Sequence, residues 1–575
     1  MSTVAQAGDR EVDVVVVGSG AAALTAAIAA ADGGAVVEII EKSELVGGTS
    51  AFSGGMPWVP LNKHLAEVGI EDTREEALEY LHSITKGRAP DDALLEVFVD
   101  HAAEAFDYVE THTPLRFTAS RTFSDYYADH PGGKLRGRSM DTVPYNSREE
   151  LGEWAERVRM SPHFAPAMGL TQDELAGAGT APDPRNVQVS EDEATPVDLV
   201  EAMAQRQEAG ITSLGVGMIG GLLRGVLDRG ITVTLGAAAR RLETEDGAVT
   251  GVVVDQGGTE VTIGARRGVV LACGGFEWNP ELIRAFLGVP EVRPLSPPTN
   301  VGEGLAMALE AGAAVANMSV AWSFPVAYDG TSTYEGEPLS ILATPRMEAG
   351  CITVNQQGRR FVNEGVTYMD FNRAHRAYDA TTQTYPNESP VWMVFGSRVR
   401  DRLHVADLHP GEPTPAWVKE AATVEDLARA IDVDPAVLAD EVARFNGFVA
   451  DGHDPDFGRG TVWWEGWTTG GPSTEKSMAP IDDPPFYAMP LYDGILGTAG
   501  GVLVDEHARV RALRGGVIDG LYAAGNVAAS LFGPSYPGGG ATLGPAMTFG
   551  YLAGRHLGAR EARARTAAAA PVAAG

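Results

Sequence analysis

The sequence predicts an α/β protein whose first domain, built on a parallel sheet, is split by an inserted α+β domain. Three observations predict it. Residues 12–42 run strand, tight turn, helix, strand without interruption. From about residue 320 the texture changes, with strand-like pieces such as Cys351–Val354 and Val391–Phe395 alternating with helices such as Val424–Ala430 and Pro435–Asn446. After about residue 486 the first texture returns and closes on another strand, a glycine-rich turn and a helix. The expected division is therefore 1–319 and 487–575 for the split domain and 320–486 for a domain that covers the substrate.

Val12–Val17 is apolar almost throughout, as a parallel strand buried on both faces must be. Gly18-Ser19-Gly20 turns the chain tightly into Ala21–Ala31, rich in alanine and leucine and so helical. Gly33-Gly34 stops that helix, and Ala35–Ile40 forms a second strand ending at Glu41. Gly18 and Gly20 let the backbone approach a pyrophosphate. Ala23 is the small residue needed where helix meets strand, and the amides opening the helix, around Ala21 and Ala22, face the phosphates. Glu41 lies 21 residues after Gly20, the spacing at which an acid accepts hydrogen bonds from a ribose diol, with Lys42 beside it. The pattern is that of a Rossmann-like dinucleotide site.

The next stretch, Gly47–Pro60, reads as a loop of small residues: Gly48, Thr49, Ser50, Ser53, Gly54 and Gly55 line a flat polar object closely. It follows the ribose acid by six residues, on the path from the ribose towards the rest of a cofactor. A flavin lying along it explains the loop, so FAD is the expected cofactor.

Glu71–His82, Asp91–Thr111 and Val216–Arg229 have helical periodicity. Phe123–Ser139 carries a Tyr-Tyr pair before a Pro-Gly-Gly turn, and Phe164–Pro196 reads as an inserted excursion or flap. Strand Ile231–Leu235 and the hairpin Arg240–Thr244 with Val249–Val254 follow. Gly268–Leu271 then leads into Ala272-Cys273-Gly274, small residues at a strand's carboxyl end that suit a backbone approach to the cofactor. Cys273 reads as a structural thiol. Strands Gly500–Val504 and Gly520–Ala524 bring the chain back to Gly525-Asn526, and a glycine-rich turn through Thr542 and Leu543 feeds helix Gly544–Leu557. The start of that helix suits an electron-rich group such as the flavin pyrimidine carbonyl.

A net charge of −33 argues against nucleic acid, whose phosphates need a basic surface. With 44% hydrophobic residues the chain has a real core, yet no run of roughly 18 apolar residues that would span a membrane. The first residues lack the basic and apolar regions of a signal peptide. Two cysteines, Cys273 and Cys351, support neither a disulfide framework nor a metal site. A cytoplasmic protein, with a frayed tail over Ala562–Gly575, is the simplest reading.

The motifs VVGSGAAALTAA, EKSELVGGTSAFSGG, FSDYY, RRFVNE with Tyr368, GLYAAGN and SYPGGGATLGPAMTFGY occur in the order found in the 3-ketosteroid Δ1-dehydrogenases. The chain resembles that family, within the fumarate reductase/succinate dehydrogenase flavoproteins, over nearly its whole length. The resemblance implies an FAD enzyme taking a 3-ketosteroid and passing electrons to an acceptor it does not identify. Tyr536 and Gly540 match the pair that holds the C3 carbonyl. Tyr368 matches the base that removes a C2 proton, and Tyr126 the phenol hydrogen-bonded to that base; flavin N5 takes hydride from C1. Two departures bear on the pocket. Pro537-Gly538-Gly539-Gly540 stands where many relatives have Pro-Gly-Pro-Gly, and the 164–196 segment is longer than in compact members, which bears on side-chain preference and on peripheral membrane contact.

Two rival activities share the flavin: a Δ4-(5α)-dehydrogenase, and a fumarate-type reductase that would bind a dicarboxylate through arginine and histidine. A flavin-binding protein without catalysis is a third reading. Arg373, His375 and Arg376 follow Tyr368 and could suggest the reductase, but their spacing reads as a solvated helix.

Overall fold

Val14, Val15 and Val16 are fully buried in the central strand of an eight-stranded sheet, β1, Arg10–Val17. The computed structural model describes residues 9–164, 169–176, 199–466 and 471–563. β1 pairs in parallel with Thr259–Leu271 on one side and with β2, Val37–Ile40, on the other. β2 continues to Thr232–Thr234, and Thr259–Leu271 continues to Val517–Ala523, both in parallel. Strand Thr259–Leu271 is longer than its apolar end suggests, because its first half pairs antiparallel with Ala248–Gln256, which in turn pairs with Ala237–Glu245. Polar residues there face solvent on one side, which hides the strand from an apolar-run reading.

Helix α1, Ala21–Asp32, packs against Leu543–Ala559, and the small residues of both make the contact. A Cβ on Gly550 would lie 2.5 Å from the Ala22 carbonyl oxygen, and one on Gly554 2.4 Å from that of Ala26. The alanine-rich stripe of α1 is thus a helix–helix seam as well as a cofactor element. The two amphipathic helices expected around residues 71–111 run Arg74–Thr85 and Asp92–His112. Thr73 opens the first with a capping box, accepting from the Glu76 amide while the Glu76 carboxylate accepts from the Thr73 amide. The helix expected at Val216 begins at Leu214.

A second sheet of seven strands carries the other core. Its long central strand, Phe486–Thr498, pairs with Ala321–Ala327 and Val391–Phe395 along its sides, and with Arg293–Pro294 and Lys419–Ala421. Cys351–Val354 lies outside Val391–Phe395. Helices Val424–Ala430 and Pro435–Asp451 close one face through Leu427, Leu438, Val442 and Phe445. Residues 487–498 therefore complete the second sheet before the chain returns through Gly501–Val502 to the first.

Two expectations are corrected. The Gly47–Pro60 stretch is not all loop: Gly48–Phe52 is a short helix entered through Gly47 at φ 117°, a value that favours glycine. The helix Tyr368–His375 is not a solvated one. His375 is buried, and Arg376, just beyond the helix, pairs with Asp493 at 2.7 Å. Of the three residues only Arg373 is exposed. Most of the Phe164–Pro196 excursion and nearly all of the Ala562–Gly575 tail lie outside the described residues; Gly169–Ala176, with the short helix Gln172–Leu175, is the described part of the former. No described helix is long and apolar enough to cross a membrane.

Candidate active site

A cavity of about 800 Å³ opens at the carboxyl ends of the parallel strands and extends beneath the second sheet. At its first end Gly18 adopts φ +106°, and a Cβ there would sit 2.4 Å from the Ala272 carbonyl oxygen, so strand Thr259–Leu271 and the turn close together only over glycine. α1 starts at Gly20 without any side-chain cap, which leaves first-turn amides for an anion. The Ala21 amide donates to Ser50 Oγ at 3.1 Å, fixing the Gly48–Phe52 helix against the turn.

Glu41 is held in place from two sides. Ser19 Oγ donates to its Oε2 at 2.7 Å and the Ser43 amide to its Oε1 at 2.9 Å. Burial pushes the Glu41 carboxyl up, and those hydrogen bonds oppose the rise. Lys42 also lines the cavity, but its ammonium is engaged by Glu303 at 2.7 Å, a partner 261 residues away that the sequence does not single out. Asn300 Nδ2 donates to Thr49 Oγ1 and to Glu277 Oε1, each at 2.7 Å, and crowds Gly274, where a Cβ would lie 2.7 Å from Asn300 Oδ1. Asn300 and Glu277 are missed by sequence reasoning, for they lie in no motif. Gly48, Ser53, Gly54, Gly55, Ala272, Gly525, Asn526, Thr542 and Leu543 line the same cavity, so every expected cofactor residue comes to it. Helix Leu543–Ala559 likewise starts there without a side-chain cap. A glycine turn, two uncapped helix starts and a half-buried acid just after β2 suit a flavin dinucleotide from ribose to pyrimidine.

The other end is lined by tyrosines. The Tyr126 hydroxyl donates to the Tyr368 hydroxyl at 2.6 Å. The Tyr536 ring lies 5.7 Å from that of Tyr126 and 5.9 Å from that of Tyr368. Each tyrosine is placed by a different element. Tyr368 opens its helix, next to the cap Thr367, which accepts from the Asp370 amide. Tyr126 sits on a loop whose amide donates to the Pro537 carbonyl at 3.0 Å, so the loop is bonded to the Tyr536 turn itself. Its neighbour Asp125 is buried and accepts from Trp58 Nε1, the Lys134 amide and Arg138 Nη1. Arg138 pairs with Asp72 as well and lies over the Trp58 and Tyr80 rings.

Gly540 takes φ +91°, and a Cβ would lie 1.8 Å from the Met56 carbonyl oxygen. Only glycine brings this backbone against the 53–58 segment. Burial pushes all three phenols up. At Tyr536 the rise is opposed by the Tyr368 and Thr542 side chains and the Gly540 and Thr542 amides, and at Tyr126 by the Tyr368 hydroxyl and the Arg346 charge. Cys273 stands half-buried on the cavity wall, its thiol pushed up to about 12 by burial, which keeps it protonated at neutral pH.

The model of an FAD binding domain family matches residues 13–543. The chain is similar to 4-oxocyclohexanecarboxylate 2-dehydrogenase of Sinomonas cyclohexanicum, 38% identical over 98% of this chain and 95% of that protein. It is similar to 3-oxosteroid 1-dehydrogenase of Mycobacterium tuberculosis, 35% identical over 95% of this chain and 98% of that one. Among solved structures, 3-ketosteroid Δ1-dehydrogenase from Sterolibacterium denitrificans, in complex with 1,4-androstadiene-3,17-dione, superposes with a TM-score of 0.85 at 32% identity, covering 96% of this chain and 99% of that one. The glycine cradle, the placed acid and these full-length matches agree: the chain is an FAD-dependent dehydrogenase and belongs to the flavoprotein family of the 3-oxosteroid 1-dehydrogenases.

Proposed function

We propose that the enzyme introduces a double bond next to the ketone of a six-membered ring, with a 3-ketosteroid as substrate and C1–C2 of ring A as the bond oxidised. The observation that carries this reading is the 2.6 Å contact between the Tyr126 and Tyr368 hydroxyls, with Tyr536 and the Gly540 turn beside them in one cavity. A C–H next to a ketone yields its proton only when charge on the enolate oxygen is stabilised. The Tyr536 hydroxyl and the Gly540 amide are the donors for that oxygen, and losing one such donor typically costs about 3 kcal/mol of transition-state stabilisation. Tyr368 removes the C2 proton, and Tyr126, bonded to it, shares that proton and carries it away. Bound FAD supplies the hydride acceptor for C1. The apolar walls, Phe324, Leu342, Leu496 and Trp464 among them, suit a steroid skeleton.

The 38% identity to an enzyme named for 4-oxocyclohexanecarboxylate favours a second reading, a single-ring oxo acid oxidised by the same tyrosines. Anaerobic mixing of the holoenzyme with 4-androstene-3,17-dione decides. Flavin bleaching with formation of the 1,4-diene establishes the steroid reading. An oxidised flavin that bleaches instead with 4-oxocyclohexanecarboxylate establishes the second, and bleaching only with a 5α-saturated 3-ketosteroid moves the oxidised bond to C4–C5.

A further inference from the structure

Arg346 is 1% exposed and lines the same cavity as Tyr126 and Tyr368. Its Nη2 donates to the Val366 carbonyl at 2.9 Å, two residues before Tyr368, and its guanidinium lies 5.0 Å from the centre of the Phe371 ring on the Tyr368 helix. Its Nε has no hydrogen-bond partner, and no described carboxylate forms an ion pair with it.

The carboxylates near it are engaged elsewhere. Glu364, whose charge acts on Arg346, is bound by Arg360 at 2.8 Å and Arg459 at 3.1 Å. Glu348, on the same cavity wall, pairs with Arg402 at 3.7 Å. An isolated charge buried in this way is strongly destabilising unless something compensates it. Burial pulls Arg346 down to about 10, which still leaves it charged at neutral pH.

We propose that Arg346 is a positioning residue for proton removal: its uncompensated charge stabilises the negative charge that the Tyr126–Tyr368 hydroxyl pair carries before Tyr368 takes the substrate proton. The inference rests on the dehydrogenation reading above. The step needs Tyr368 ionised, with the remaining proton shared with Tyr126; burial disfavours that state, and the Arg346 charge opposes the rise at Tyr126. The C–H bond beside the ketone breaks, its proton forms the Tyr368 O–H bond, and the electron pair stays on the substrate. The negative charge leaves the tyrosine pair in that same step. The groups that act on this charge include Tyr536, Tyr127 and Arg346 at Tyr126, Tyr536 at Tyr368, and Cys351, Arg459 and Glu364 around Arg346. Asp370, on the Tyr368 helix, is engaged by the Tyr127 hydroxyl at 2.8 Å and by Arg373 at 3.4 Å.

The test is the pH dependence of flavin reduction in the holoenzyme, with a ketone that wild type accepts. Arg346→Gln, which keeps a donor for the Val366 carbonyl, and Arg346→Met should each slow reduction at neutral pH by about tenfold. The limb that rises with pH should move up by about one unit, since one unit corresponds to a tenfold change. KM and bound FAD should be unchanged, and Arg346→Lys should return the rate to within about threefold. Variant profiles that coincide with wild type overturn the proposal. So does a rise confined to KM for a carboxylate-bearing ketone, which would make Arg346 the counter-ion of the substrate instead.

A second measurement needs no substrate. Burial holds these phenols above the free value of about 10, so near-ultraviolet titration of holoenzyme should show the pair ionising above that pH, and Arg346→Met should move it higher by about one unit. A pair that ionises at the same pH in both proteins overturns the proposal, whereas a shifted pair in an enzyme that reduces with no ketone leaves Arg346 standing and sinks the dehydrogenation reading.

Discussion

The Tyr127 hydroxyl donates to Asp370 Oδ2 at 2.8 Å, one residue along from Tyr126 and two along from Tyr368. The loop and the helix that carry the hydroxyl pair are therefore fastened twice, once by the pair itself and once by this bond. Burial and the Asp370 carboxylate push the Tyr127 phenol up, so it stays a donor at every pH of interest. Tyr127→Phe should lower kcat several-fold with KM little changed, and a hydrogen bond to a charged group of about 1.5–3 kcal/mol sets the upper limit of that loss. Single-turnover flavin reduction measures it, and an unchanged rate refutes the second fastening.

Tyr368→Phe should abolish turnover while leaving FAD bound, because the ring still packs against Phe324 at 4.7 Å and only the hydroxyl is lost. The yellow spectrum and steady-state rate check both halves. A tenth of wild-type turnover would remove Tyr368 from the role of base.

Gly540→Ala should fail at the Tyr536 turn, with its Cβ directed into the Met56 carbonyl at 1.8 Å and its φ at +91°. The expected outcome is loss of turnover together with weakened FAD, since Met56 follows the Gly48–Gly55 cavity wall without a break. Flavin content after gel filtration reads the second effect.

His64 gives the fold a pH-dependent fastening outside the cavity lining. Burial alone would lower its pKa, but its hydrogen bonds to Glu110 and Glu67 outweigh that and raise it to about 9. The folded pKa thus lies above the unfolded value of about 6.5. The stabilisation is complete below about pH 6.5 and is lost as pH rises through about 9. Thermal melts of wild type should fall across that window, and His64→Gln should flatten the fall.

Local patterns made much of this architecture legible. The apolar run at β1, the glycine turn and the alanine helix are contiguous, so residues 12–42 announce themselves. Element ends were less visible where caps decide them: Thr73 starts its helix through Glu76, a polar pair that an apolar periodicity does not register. Arg376 looked solvated because its partner Asp493 is 117 residues away, and Lys42 looked free for a ligand because Glu303 is 261 away. Arg346, Asn300 and Glu277 belong to no motif. Their significance lies in what surrounds them after folding.

The seam between α1 and Leu543–Ala559, where Gly550 and Gly554 meet the backbone of Ala22 and Ala26, also sets an order of assembly. The cavity takes one wall from residues 17–56 and another from residues 525–546. A nascent chain that has emerged only as far as residue 500 holds the glycine turn and the ribose acid, but neither Asn526 nor the helix start at Leu543. Cofactor capture therefore waits until residues 525–546 have joined the wall made by residues 17–56.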